Sequence, residues 1–240
     1  MQTYKHDYTE PISSRDIQPI FDLLASYRSQ LAQHPFLVAA QHHELSTEIL
    51  LELAFHQYSD SILWIPMLAQ MKQGAVRSRR LQIAIEDNIA HEAGIGRDGS
   101  TSHVTLAVQM IRSLGVRALD AFPTATFGRS ATLWLSDEFV GQREPEIAGW
   151  LLVAETLVPQ LFAAVAPCYE RIAGCETRYF TEHVAVDSDE HARWMADAVI
   201  DVLAIYGSAS REVVIAGMVD AWQETCEVPD ELWRRACASR

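Results

Sequence analysis

The chain has 240 residues, 49% of them hydrophobic, with a formal net charge of -13 and only two lysines, Lys5 and Lys72. That length suits one large core, and so acidic a chain lacks the basic patch that nucleic-acid phosphates require, which excludes a nucleic-acid partner. The N-terminal Met1-Gln2-Thr3-Tyr4-Lys5-His6-Asp7 has no apolar signal core, and no run approaches the roughly 18 uninterrupted apolar residues of a membrane span, so no membrane partner and a cytoplasmic location are expected.

Apolar residues recur at helical spacing along most of the chain, as in Ile20, Leu23, Leu24 and Tyr27, and again in Val199, Val202, Leu203 and Tyr206. Breakers divide it into predicted helices over 15–33, 36–57, 59–73, 76–93, 101–114, 125–141, 145–173, 176–206 and 209–226, followed by a short tail helix. Ser100 and Thr101 are placed to cap the helix of His103, and Gly115 to close it. Pro145 suits a first turn, Pro159 falls inside a helical run and should kink it, and Gly207 ends the helix before it. Without a linker-like stretch, the expected architecture is all-α, a bundle of about seven to nine helices forming a single domain over residues 1–240. Cys168, Cys175, Cys226 and Cys237 contain no CxxC pair and are read as free thiols.

The chemistry concentrates in Tyr179-Phe180-Thr181-Glu182-His183-Val184-Ala185-Val186-Asp187-Ser188-Asp189-Glu190-His191. At about 100° per residue, His183, Asp187 and His191 fall near 0°, 40° and 80° and share one helix face. Imidazole and carboxylate donors together suit iron, manganese or zinc better than calcium or magnesium. The competing reading is a solvated polar face. A metal site in a bundle needs acids and imidazoles from other helices. Glu155 is the one charged residue in Trp150-Leu151-Leu152-Val153-Ala154-Glu155-Thr156-Leu157, where an unpartnered carboxylate is costly. Glu92 and His103 flank a glycine-bearing loop that lets one helix end and another begin nearby. His91 is set aside, because it and the adjacent Glu92 cannot easily both point inward. His42 and His43 are read as surface groups, and His6 and His34 as loop residues. Leu63, Trp64 and Met67 serve either a pocket or the core.

These motifs, Glu92-x-Gly94-x-Gly96 followed by Ser102-His103, Glu155 followed by Val158-Pro159, and Tyr179-Phe180 leading into His183-x3-Asp187 and His191, resemble the haem-oxygenase-like dimetal oxidases and oxygenases over roughly residues 35 to 206. Haem oxygenase, thiaminase II and pyrroloquinoline-quinone synthase are fold relatives of that family. The resemblance implies a haem-oxygenase-like fold and two Fe(II) ions reacting with O2, with manganese as the other candidate metal. One ion would be held by His103, Glu155 and His183, and the other by Glu92, Asp187 and His191, with Glu155 able to bridge. One departure stands out: many members have three residues from the aspartate to the last histidine, and this chain has four. Glu190 occupies the usual place, so either Glu190 ligates or a local π-bulge lets His191 reach. His56, Tyr58 and Asp60 lie where some members recruit a further acid, which makes Asp60 and His56 additional candidates.

The implied activity is an iron-dependent, O2-using oxidase or oxygenase acting on a small metabolite, an amine, amino acid or fatty acid, in a biosynthetic pathway. Its expected partners are that substrate and O2, with a homodimer as the candidate assembly. Two alternatives stand beside it: a metal-independent enzyme like thiaminase II or the quinone synthase, using the same residues for acid-base chemistry, and a non-catalytic helical interaction protein.

Overall fold

Serine hydroxyls mark where several of the helices begin, because each first turn leaves backbone N–H groups without intrahelical partners. The structure, a computed structural model, describes residues 13–95, 101–117, 144–186 and 191–238. In α1 (Ser14–Ala32) the Ser13 N–H is held by the Asp16 carboxylate at 2.9 Å. The Ser46, Ser78 and Ser102 hydroxyls accept from the third residue of α3 (Thr47–Gly74), α4 (Arg79–Glu92) and α5 (His103–Ser113) respectively. Ser102, one residue beyond the expected pair, therefore caps α5 and places His103 at its first position. The short α2 (Pro35–Gln41) starts on His34, whose Nδ1 accepts from Phe36 N at 3.2 Å.

Four further helices complete the described residues: α6 (Glu144–Glu170), α7 (Arg178–Val186), α8 (Ala192–Tyr206) and α9 (Arg211–Ala238), the last two joined by a single 3-10 turn. The predicted helix over 125–141 lies outside the described residues. All described regular structure is helical, as expected.

Two boundaries differ from the sequence reading. The break expected at residue 58 falls at 42–46 instead, where His43 has φ 57°. Ser59 and Ser61, just after the expected break, sit inside α3 with their hydroxyls turned back onto the carbonyls of Phe55 and Gln57, a bond that lets serine remain helical. The expected end at 226 is also absent, since α9 continues through Pro229 to Ala238. Gly115 and Gly207 do close α5 and α8, with φ of 90° and 80°, where a side chain would be strained.

The core is organised around α6, buried almost all round, which packs against α2, α7, α8 and most extensively α9. Though Glu155 interrupts its apolar run, α6 is long and apolar enough by length and composition to cross a membrane. However, 67% of that window is buried inside the protein. A helix hydrophobic on every face is what the centre of a bundle requires. Its neighbour α9 approaches so closely that Gly149 and Gly217 each lie against the other helix's backbone.

Candidate metal centre

Five side chains that the sequence singles out are buried near the middle of this bundle: Glu92 (7% exposed), His103 (1%), Glu155 (6%), His183 (6%) and His191 (4%). A solvated helix face is thereby ruled out for His183 and His191. Glu92 closes α4, His103 opens α5, Glu155 lies mid-way along α6, His183 is on α7, and His191 immediately precedes α8. Asp187 and Glu190 lie outside the described residues. At His191 the backbone is π-helical, a local widening of the kind that re-aims a side chain.

Glu92, His103 and His183 converge, each offering a donor atom within 4.8 Å of the others. His103 Nδ1 is 2.7 Å from Glu92 Oε2 but out of line for an N–H···O bond, and both ring nitrogens of His103 are buried without a hydrogen-bond partner. His183 Nε2 stands 4.0 Å from Glu92 Oε1. On its far side His183 Nδ1 lies 2.6 Å from the Tyr179 carbonyl, which can only accept. Nδ1 thus carries the proton and Nε2 faces the cluster with its lone pair. An imidazole anchored in this way is the usual support of a metal-ligating histidine.

Glu155 forms a second grouping. Its Oε2 is 3.2 Å from His191 Nδ1, and its Oε1 accepts from the Asn88 amide. The arrangement differs from the split that the family resemblance implies: Glu92 stands with His103 and His183, and Glu155 with His191.

Burial sets the protonation of these groups. Desolvation pushes Glu92 up to about 7, against a partly compensating attraction from His183. Desolvation likewise holds His103 down at about 4, and His183, with the neighbouring His103 adding to the effect, at about 3. Both histidines are therefore neutral near pH 7. A shift like that of Glu92 corresponds to about 3 kcal/mol against ionisation, which a bound cation would offset. Neutral imidazoles with inward lone pairs and carboxylates short of a positive partner fit a borderline divalent metal such as iron.

His91 corrects the sequence reading. It is half-buried, edge-on to His103 and to His191 at centroid distances of 4.7 and 5.4 Å, with Nδ1 buried and unpaired. Neighbouring residues do both reach the centre, because it lies against the last turn of α4. Asn88 was missed altogether, though its place four residues before Glu92 puts it on the same helix face. His56 faces elsewhere, with Arg235, Glu52 and Glu231 as its charged neighbours. His34 pairs with Asp230 at 3.0 Å and His43 approaches Cys168, both apart from the centre. All four cysteines are free.

Above the cluster lies a cavity of about 180 Å³ bounded by α3, α6 and α9, with Glu92, Glu155 and His183 in its floor. Leu63, Trp64 and Met67 line it, so the pocket role open to them in the sequence is one they do fill. Asp60 lines the same cavity while remaining exposed, and desolvation pushes its carboxyl up to about 7.

A helical bundle with a buried carboxylate and imidazole cluster beneath an apolar cavity is built like the haem-oxygenase-like proteins. A domain of unknown function with that fold from Shewanella denitrificans OS217 superposes with a TM-score of 0.69 at 14% identity, over 93% of this chain and 94% of that one. A TenA homologue from Pseudomonas syringae pv. tomato DC3000 gives 0.67 at 10% identity, over 95% and 94%. Identities this low establish the fold alone. The chain itself belongs to the family of iron-containing redox enzymes, whose model matches residues 47–223. No curated protein matches it significantly in sequence.

Proposed function

We propose that this protein is a non-haem diiron enzyme that uses O2 to oxidise a small metabolite held in the cavity above the cluster. The observation that carries the reading is the convergence of Glu92, His103 and His183, with the Glu155–His191 pair beside them, at the floor of a cavity. Family membership supports iron and redox chemistry.

In this reading Glu92, His103 and His183 hold one ion. Glu155 and His191 hold the other, joined by Asp187, which follows His183 by one helical turn in the sequence. Bound Fe(II) would supply the electrons and the coordination site for O2. The chain's own residues do the rest. Tyr179 fixes the tautomer of His183 through its carbonyl, and Asn88 holds one oxygen of Glu155 so that the other stays turned to His191. The apolar walls exclude water and orient the substrate over the floor.

Anaerobic loading with Fe(II), followed by iron quantification, tests the proposal. About two irons per chain are expected, with O2 consumption on exposure to air. Glu155→Ala and His191→Ala should each lose one ion and keep the other, held by Glu92, His103 and His183. A wild-type protein that takes up no iron would overturn the reading in favour of metal-free acid-base chemistry.

A further inference from the structure

The cavity walls carry one sign of charge. Asp60, Glu224 and Glu227 line it, and among its described lining residues there is no lysine or arginine. The floor acids Glu92 and Glu155 face imidazoles; Asp60 does not. It sits one turn before Trp64 on α3 and, among the described residues, has neither a hydrogen bond nor an ion pair. Desolvation alone accounts for its raised pKa.

Two indoles line the same cavity. Trp64 and Trp150 have ring centroids 5.6 Å apart, inclined at 39°, and the Trp150 indole N–H donates to Glu224 at 3.1 Å, which fixes its ring. Met67 extends the apolar surface. An ammonium at Asp60 would gain a counter-ion and, one helical turn along, the face of Trp64, and its hydrocarbon body would cover the indoles and Met67. A free carboxylate at these walls would meet like charge there and could gain only from metal at the floor.

We infer that the cavity takes an apolar amine, bound as its ammonium ion at Asp60 beside Trp64 with its hydrocarbon body against the paired indoles, and discriminates against fatty acids and amino acids. The inference deepens the diiron reading by naming its substrate class; it rests on that reading for the reaction and not for the binding.

The test is calorimetric titration of the Fe(II)-loaded protein, kept anaerobic, with three probes of matched length: hexylamine, hexanoate and norleucine. Hexylamine should bind at least about tenfold more tightly than either of the others. Asp60→Asn should weaken hexylamine by about tenfold and leave the neutral analogue hexanol within about twofold. Hexanoate or norleucine binding as tightly as hexylamine overturns the inference, as does an Asp60→Asn protein that loses hexylamine and hexanol equally. The wild-type ranking stands without any variant, so a misfolded mutant does not remove the test. If the protein takes up no iron, the same titration is read on the metal-free form. Amine preference there leaves this inference standing while the diiron reading fails; carboxylate preference with iron bound does the reverse.

Discussion

Glu92 shows how a binding group lowers the stability of the fold that carries it. Its carboxyl titrates near 7 in the folded protein against an ordinary 4.5. The folded state thus holds a proton that the unfolded chain has released, and the fold loses stability as pH rises from about 4.5 to 7. Above 7 the full cost is present in the metal-free protein. Glu92→Gln should therefore stabilise the metal-free protein at pH 8 by up to about 3 kcal/mol, a gain that disappears below pH 4.5. Urea titrations at the two pH values measure it, and a variant less stable than wild type at pH 8 would contradict it. The same variant should bind iron poorly. Asn88 is the complementary case. Asn88→Ala removes the donor to Glu155 Oε1, so a loss of roughly 10- to 100-fold in affinity for one ion is expected. Stepwise Fe(II) titration checks this, and an unchanged affinity would show that Glu155 does not depend on Asn88.

At the scale of elements, the site depends on how closely α6 and α9 approach. A Cβ on Gly149 would lie 2.0 Å from the Val214 carbonyl oxygen, and one on Gly217 would lie 2.1 Å from that of Glu146. The obstacle in each case is backbone, which cannot turn aside as a side chain can. Gly149→Ala should then force the helices apart at a cost of about 3 kcal/mol or more, at the upper end of overpacking effects. Chemical denaturation tests it; a change below 1 kcal/mol, at the weak end of that range, would mean that the helices slide freely. Trp150 and Glu224 sit on these same two helices, so separation should also disturb the cavity wall they build. The glycines thus serve the cavity through packing alone.

Over the whole molecule, a buried carboxylate remote from the centre ties together the helices that form it. Glu144, 2% exposed, accepts from the backbone N–H groups of Arg77 and Ser78 and from the Tyr206 hydroxyl at 2.7 Å. It therefore joins the start of α6 to the approach to α4 and the end of α8. Ser78, which caps α4, also donates to Asp201 on α8 at 2.6 Å, and Arg77 stacks over Tyr206. These helices carry Glu155 and Glu92, and α8 begins beside His191. Glu144→Ala leaves two N–H groups and a hydroxyl without their acceptor, so a loss of about 2–4 kcal/mol is expected, with lowered iron occupancy. Thermal melts and metal analysis of one preparation test both. Full occupancy in a destabilised protein would separate the brace from the centre.

The helical class was legible in the sequence because apolar spacing is a local property, and so were the burial of Glu155 in an apolar run and the shared face of the histidine motif. The break expected at 58 is absent, and the hydroxyls of Ser59 and Ser61 turn back onto their own helix there instead of ending it. His56 and His91 were misplaced for a different reason: a side chain's face within a helix follows from spacing, but which neighbouring helix it meets does not. Asn88 carries no chemical signal of its own and gains its role only because its amide reaches Glu155 on α6. The sequence by itself determined which donors exist and which faces they occupy. Tertiary structure alone decided that Glu92 stands with His103 and His183 and Glu155 with His191, because donors on separate helices are brought together by long-range packing that no local spacing encodes.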